Sequence, residues 1–557
     1  MSVLKAPRAW RLLVSLTLLC GMMSAADPGT TPADSVNATE LDEISHLEAL
    51  VARQQTQLTA LQEELSSLRK RVAARTDSQF HSAGTTASLA PVFPAEPRAL
   101  TAGPVSAANN ATASASTTKD SAPLQLKIGD TTITPVGFMD LTNTFRSTNA
   151  GTSLQTNFGS IPYNNTTPGR LTEDKLSAAN SRIGFRVDAR VKGANILGYY
   201  EGDFVGGIGD TAYNTQVSSN SLLYRIRLYW IDVRKSKFEF LAGQSWSMLT
   251  PNRKQISPLP GDLFYSQVVD VNYMNGLVWG RIPGIRGLYH PNEKVTLGLS
   301  LENSSQYFGG SGGGGVPTLP SALSSSIAGE LDQNVTNGIK IPNVAPDLIA
   351  KIAFDPSPRT HFEIAGVQSS IKLFNPTTQA YFTKAAGGGA INANVEVAPG
   401  LRLVTNNFWS DGEGRYLFGL APGFIVRSDG SPSLIHSGST VSGFEFTHGN
   451  TQLYAYYGGV YVGRNTALDA NGKTLIGYGF TGSSNSQNKT TQEGTFGLTR
   501  TLWRDARFGA LQTMLQYAYF FRDPWYVSPG LPRNAHENAV WFNLRYVLPG
   551  VAPTIQH

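Results

Sequence analysis

The chain is short of charge, of cysteine and of long apolar runs. Charged residues make up only 15% of its 557 positions. The one cysteine, Cys20, falls near the N-terminus, so a mature chain without it has no disulfide scaffold and no thiol chemistry. Downstream of the first two dozen residues nothing is apolar for the roughly 18 positions that a membrane-spanning helix needs. The eight histidines are scattered without ligand spacing, which argues against a metal site. Motifs of catalysis fail on single positions. "DANGKT" (469–474) ends like a phosphate loop, but Ala467 stands where the leading glycine must be. A calcium loop on the same stretch would have Ala467 first and Tyr478 twelfth, which removes two oxygens. "HENAV" (536–540) opens like a zinc-protease helix, with Val540 in place of the second histidine. Neither an enzyme nor a cofactor is expected.

The first 26 residues read as a signal peptide. Lys5, Arg8 and Arg11 precede the apolar "LLVSLTLLCGMM" (12–23), and Ser24-Ala25-Ala26 offers a small-residue cleavage site. Removing those three cations from the formal +5 leaves +2, which gives no reason to expect a nucleic-acid partner. After a short segment, 27–39, residues 40–75 carry a heptad. Ile44, Val51, Leu58, Leu65 and Val72 recur every seven residues, with Leu47, Gln54, Leu61 and Leu68 in the alternate seam. That pattern predicts a self-associating coiled coil, its register marked by the polar Gln54. Residues 76–123 are mostly Ser, Thr, Ala and Pro, too poor in large apolar groups to offset the entropy of ordering, and read as a flexible linker.

From 124 to the end the texture changes. In "SRIGFRVDARV" (181–191) one parity is Arg182, Gly184, Arg186, Asp188, Arg190 and the other Ile183, Phe185, Val187, Ala189, Val191. A period of two makes this a strand with one oily and one cationic face. In 222–233, Leu222, Tyr224, Ile226, Leu228 and Trp230 share one face, and Arg225, Arg227 and Tyr229 the other. In 195–204, Glu201 and Asp203 oppose Ile196, Tyr200 and Phe204. About sixteen such stretches alternate with short turns ("KGAN", "KSK", "PNEK", "DPSPR", "PG", "HGN", "RDAR") and long connections (148–179, 249–276, 304–343, 412–433, 464–489). The expected fold is all-β, an antiparallel transmembrane barrel over 124–557 of about 16 strands, with its oily faces against lipid and its charges lining a watery lumen.

Four stretches, "SRIGFRVDARV", "GYYEGDFVGG" (198–207), "YRIRLYWIDV" (224–233) and "FLAGQSWSML" (240–249), resemble the DcaP-like family of trimeric outer-membrane porins. The heptad segment matches that family's N-terminal extension, so the likeness spans roughly 40–75 and 124–548. The tail departs from the common barrel ending, since "PGVAPTIQH" closes on no aromatic. The resemblance implies a homotrimeric pore in the outer membrane, with the coil in the periplasm, passing small and mainly negative solutes. Arg182, Arg186, Arg190, Arg225 and Arg227 are the expected selectivity cations, with Asp188, Glu201 and Asp203 sharing the lumen, either as the opposite side of a cross-lumen field or paired with the arginines in a network that stiffens the wall. By analogy with general trimeric porins, the connection 249–276 would fold inward and bring Arg253 and Lys254 to the eyelet; a surface loop is the other reading. Neutral sugars or phosphate are alternative cargoes. A trimeric adhesin with a coiled-coil stalk is the rival of another class, and the coil's contact with the cell wall stays open.

Overall fold

The computed structural model describes residues 124–549 apart from 151, 153, 207–221, 264–266, 311–312, 333–340 and 343. The expected signal peptide (1–26), the segment 27–39, the heptads (40–75) and the linker (76–123) lie outside the described residues.

Sixteen antiparallel strands follow one another around a closed ring. They begin with β1 (Thr131–Arg146), β2 in two pieces (Glu173–Ser177 and Arg182–Val191), β3 (Ala194–Asp203), β4 (Arg225–Lys235) and β5 (Phe238–Trp246). Next come β6 (Arg281–Asn292), β7 (Val295–Glu302), β8 (Asp347–Ser357), β9 (Thr360–Asn375), β10 (Ala380–Ala398) and β11 (Leu401–Asp411). The ring ends with β12 (His436–His448), β13 (Thr451–Val462), β14 (Asn488–Asp505), β15 (Gly509–Pro524) and β16 (Ala535–Val547). Each pairs with its chain neighbour, and β16 returns to β1 over Phe138–Arg146, which leaves the ring no free edge. One end of the ring carries tight turns. Between β2 and β3, Lys192 and Gly193 both take positive φ (48° and 76°), the left-handed pair that suits a two-residue hairpin.

The alternation expected from the sequence sets the two faces. Ile183 and Phe185 are exposed at 48% and 45%, while Arg186, on the opposite parity, is 5% exposed. Ile231, Phe240, Ile285, Leu299, Ile352 and Phe542 continue the apolar exterior around the wall. An oily outer belt on a closed barrel is what hydrocarbon requires, since every backbone polar group is satisfied within the sheet.

One stretch breaks the alternation. Glu201 pairs with Leu228 and Gly202 with Ile226, so Arg227 is an extra residue bulged between them. The bulge flips the parity beyond it. Leu228 and Trp230, expected on the lipid face, are buried inside, and Tyr229, expected beside the arginines, is 65% exposed outside. Trp230 stacks on Tyr199 of β3 at 5.4 Å.

The interior is not hollow at the end that carries the long connections. Phe158 and Ile161 of the β1–β2 connection, Leu249, Ile256 and Val278 of the β5–β6 connection, and Leu417 and Leu420 of the β11–β12 connection form one buried apolar cluster. It reaches wall residues as far apart as Ile349 on β8, Val460 on β13 and Trp541 on β16. Three backbones cross there without room for side chains. A Cβ on Gly313 would sit 2.1 Å from the Gly419 carbonyl, and one on Gly159 would sit 2.0 Å from the Gly313 carbonyl.

Candidate functional site

The arginines of β2 and β4 meet across β3. Arg227, with its side chain 1% exposed, pairs with Glu201 at 2.9 Å and Asp203 at 2.6 Å. Arg225 makes a two-pronged contact with Asp203 at 2.7 and 3.1 Å. Arg182 lies 3.6 Å from Glu201 and over the Phe138 ring at 5.0 Å. The bulge at Arg227 is what brings Arg225 and Arg227 onto the carboxylates of the neighbouring strand while keeping the strand paired. Of the expected cations, Arg182, Arg225 and Arg227 are thus held together with Glu201 and Asp203.

The others stand apart. Arg186 forms a bidentate pair with Asp188 of its own strand, both contacts 2.7 Å, an arrangement that cancels its charge locally. Arg190 is exposed beside the Lys192–Gly193 turn, at the strand end rather than in the cluster. Lys254 is exposed, and Arg253 is bidentate to Glu445 on β12 at 2.8 and 2.8 Å. Tyr456 donates to the same carboxylate at 2.7 Å, so Arg253 acts as a strut to the wall, not as a free cation.

That strut belongs to a larger arrangement. Residues 247–280, between β5 and β6, turn inward and dock on strands far around the ring. The backbone amide of Asn252 donates to Glu363 on β9 (3.1 Å), that of Gln255 to Asp355 on β8 (3.1 Å), and that of Val278 to Asn406 on β11 (3.1 Å). Asn275 N donates to Glu493 on β14 (2.8 Å) and Val269 N to Gln516 on β15 (2.6 Å). Lumen-facing polar side chains of the wall therefore supply the acceptors that a buried loop would otherwise lack. Lys351 on β8 completes the anchorage, donating to the Thr250 carbonyl at 2.9 Å and pairing with Glu363 at 2.8 Å.

The loop also contacts the cation cluster. Tyr273 accepts a 2.6 Å hydrogen bond from Arg227. Burial alone would raise the Tyr273 phenol, yet Arg227, Arg182 and Arg281 together hold it below its ordinary value. Arg281 was not among the residues singled out by the sequence pattern. It opens β6 opposite Trp246 and lies over the Trp246 and Trp279 rings at 5.7 and 5.6 Å. Its Nη1 is buried with no hydrogen-bond partner, and no carboxylate pairs with it among the described residues. Arg227 shares the Trp246 ring, at 5.9 Å. Four guanidiniums, from Arg182, Arg225, Arg227 and Arg281, thus face two carboxylates, and the surplus is positive. The aromatics around them, Trp246 at 2%, Tyr273 at 5% and Trp279 at 6%, are too buried to offer a stacking face to a sugar. No metal-holding group of His, Cys, Asp or Glu occurs among the described residues.

A ring of sixteen strands closed within one chain, oily outside and crossed inside by its third long connection, defines an outer-membrane porin barrel. No family model and no curated protein sequence matches the chain. Solved structures do. The outer-membrane channel DcaP of Acinetobacter baumannii aligns with a TM-score of 0.53 at 16% identity, over 76% of this chain and 99% of that one. An anion-selective porin from Comamonas acidovorans aligns at 0.43 and 11% identity, over 75% of this chain and 100% of its own. OmpF of Salmonella typhi aligns at 0.41 and 10%, over 76% and 100%. The chain has a DcaP-like porin fold. Closure within a single chain excludes the adhesin arrangement, in which each copy contributes only a few strands to a shared anchor.

Proposed function

We propose that this chain is a water-filled diffusion channel of the outer membrane that favours small anionic solutes, dicarboxylates among them, and works as a homotrimer. The observation that carries the reading is the positive surplus of the lumen cluster, four guanidiniums against two carboxylates beside an inward-folded loop. Fixed charge in a narrow, partly desolvated passage concentrates the opposite sign and repels its own. The roles divide by exposure. Arg227 is locked between Glu201 and Asp203 and positions the loop through Tyr273. Arg225 and Arg182, with side chains 33% and 13% exposed, are the cations a passing solute meets. Their planar forks donate two parallel hydrogen bonds, which suits a carboxylate and also phosphate. A ladder of such contacts lets an anion be handed on without being trapped at any one of them. The heptads at 40–75 would join three copies in the periplasm.

The test is the reversal potential of the purified protein in a planar bilayer under a salt gradient. A potential set by the anion is expected. A channel that conducts without preference, or prefers cations, would overturn the reading and reduce the arginine cluster to wall chemistry.

A further inference from the structure

Two cations share one ring at the rim of the barrel. Arg464 lies just past β13, Lys489 is the second residue of β14, and Trp525 follows β15. The Arg464 guanidinium is 4.7 Å and the Lys489 ammonium 5.5 Å from the centre of the Trp525 ring. The two charges are therefore no more than about 10 Å apart, one screening length in 0.1 M salt. Lys489 reaches the ring through a bulge. Asn488 pairs with Pro524 and Thr490 with Asp523, which leaves Lys489 as an extra residue turned out of the ladder. The indole itself is fixed. Its Nε1 donates to the Val462 carbonyl at 2.9 Å, Tyr461 meets it edge-on at 6.2 Å, and a Cβ on Gly479 would come within 2.7 Å of it. Among the described residues neither cation is ion-paired, and Asp523, half-buried near the end of β15, stays beyond 4 Å of both. Like charges held this close repel, and an anion between them relieves the repulsion.

A second observation lies directly beneath. A furrow of about 590 Å³ runs down the outer wall from Tyr461 and Thr490, the neighbours of Trp525 and Lys489. Its surface is mostly apolar, with Trp409 and Tyr457 among its walls and Gly438 and Gly459 in its lining. The protomer does not need glycine at those two places. A Cβ would meet nothing nearer than 3.4 Å at Gly438 and 3.3 Å at Gly459, and neither takes a positive φ. Glycine weakens a strand, and where the strand itself does not require it, close approach of a ligand is one use for the space.

We propose that this rim and furrow form a binding site for a phosphate-bearing lipid of the outer leaflet, its headgroup between Arg464 and Lys489 and an acyl chain in the furrow. The long connections mark this end of the barrel as the outward one. An aromatic girdle accounts for Tyr461 and Trp525, but not for two unpaired cations on one indole or for a furrow opening below them. The cations stand beside lipid-facing Tyr461, 47% exposed, and not in the lumen, so a solute in transit does not meet them. Anionic above and apolar below is the pattern of a phospholipid or glycolipid, and basic pockets on membrane proteins take such headgroups. The site does not depend on which ions the pore prefers, so its failure leaves that reading untouched.

Native mass spectrometry of the purified full chain in detergent tests it, with a lipid A carrying two phosphates as the probe. The comparison probes are the same lipid without phosphates and inorganic phosphate. The unaltered protein should hold the phosphorylated lipid, and Arg464→Gln with Lys489→Gln should weaken it about thirtyfold, about fivefold per cation. Arg507→Gln with Lys294→Gln, exposed cations at the short-turn end, should leave it unchanged. Gly459→Leu, which fills the furrow, should also weaken it. A protein that holds no lipid, that holds both lipids equally, or that binds as tightly with Arg464 and Lys489 neutralised overturns the proposal. Displacement of the lipid by an equal concentration of inorganic phosphate, with Gly459→Leu binding like the parent, assigns the cations to free phosphate and overturns the lipid. If the double variant does not form a barrel, Arg464→Gln alone decides, since that side chain is exposed beyond the end of β13. A fivefold loss supports the site, and unaltered binding overturns it.

Discussion

Replacing Arg281 by Gln should shift the channel toward cations more than any other single neutralisation that leaves the barrel intact. Among the described residues no carboxylate pairs with Arg281, whose Nη1 is buried without a hydrogen-bond partner, so its removal takes away field without unmasking a paired acid. Arg227→Gln, by contrast, would leave Glu201 with only the longer 3.6 Å contact from Arg182, and Asp203 with Arg225 alone. An anion passing about 7 Å from the Arg281 guanidinium, in surroundings of effective dielectric constant about 40, gains about 1.2 kcal/mol. Screening over a Debye length of about 10 Å at 0.1 M salt halves that to about 0.6 kcal/mol. Losing it lowers anion occupancy about threefold and raises cation occupancy by a like factor, so the permeability ratio moves about sevenfold. The assay is the reversal potential under a KCl gradient. Arg281→Lys should keep the unaltered value, and the double change Arg186→Gln with Asp188→Asn, which deletes a pair of no net charge, should move it little. An Arg281→Gln channel with an unaltered potential would refute the reasoning, and most directly so if the neutral double change shifted it.

Arg253→Ala leaves Glu445 with a side chain 4% exposed and only Tyr456 as donor, which should cost the docked 247–280 loop about 2–3 kcal/mol. Faster hydrogen exchange of the loop amides, alongside greater open-channel noise, is the expected reading; unchanged exchange would count against the strut. Gly313→Ala places a methyl against the Gly419 carbonyl and should lower the melting temperature and raise conductance together. A variant as stable and as conductive as the parent would mean that the crossing is looser than it looks. Burial and the neighbouring charge of Asp347 push the Glu413 carboxyl up to about 7, and Ser369 donates to it at 2.5 Å. A raised acid favours the fold while protonated, so the 412–435 loop should hold best below its ordinary 4.5 and loosen as pH rises toward about 7, a range worth about 3 kcal/mol. Glu413→Gln should flatten that dependence in hydrogen exchange of the loop; an unchanged profile would assign the titration elsewhere.

The barrel was legible because lipid and lumen demand opposite side chains at successive positions, so the sorting of Ile183 and Phe185 from Arg182 and Arg186 is written into a period of two. The same rule could not see the bulge at Arg227, because an extra residue is a property of the pairing with β3, and it therefore misplaced Leu228, Tyr229 and Trp230. It missed Arg281 for a related reason. That residue opens its strand, where alternation has no run to establish a face, and the only local hint is the tryptophan two positions before it in "WGR" (279–281). Whether the lumen acids pair with the arginines was open in sequence, and Asp188, two residues on, takes Arg186; Glu445, the partner of Arg253, lies too far along the chain for any local pattern to name it.

The glycine crossing of three connections has a bearing on how such a channel could vary. Since Gly159 abuts Gly313 and Gly313 abuts Gly419, no one of these segments can lengthen or acquire a side chain at the crossing without displacing the other two. They are interlocked in the manner of a burr puzzle. Diversity at the outward surface should therefore collect in the stretches flanking the crossing, while a change at its centre takes hold only if all three change together.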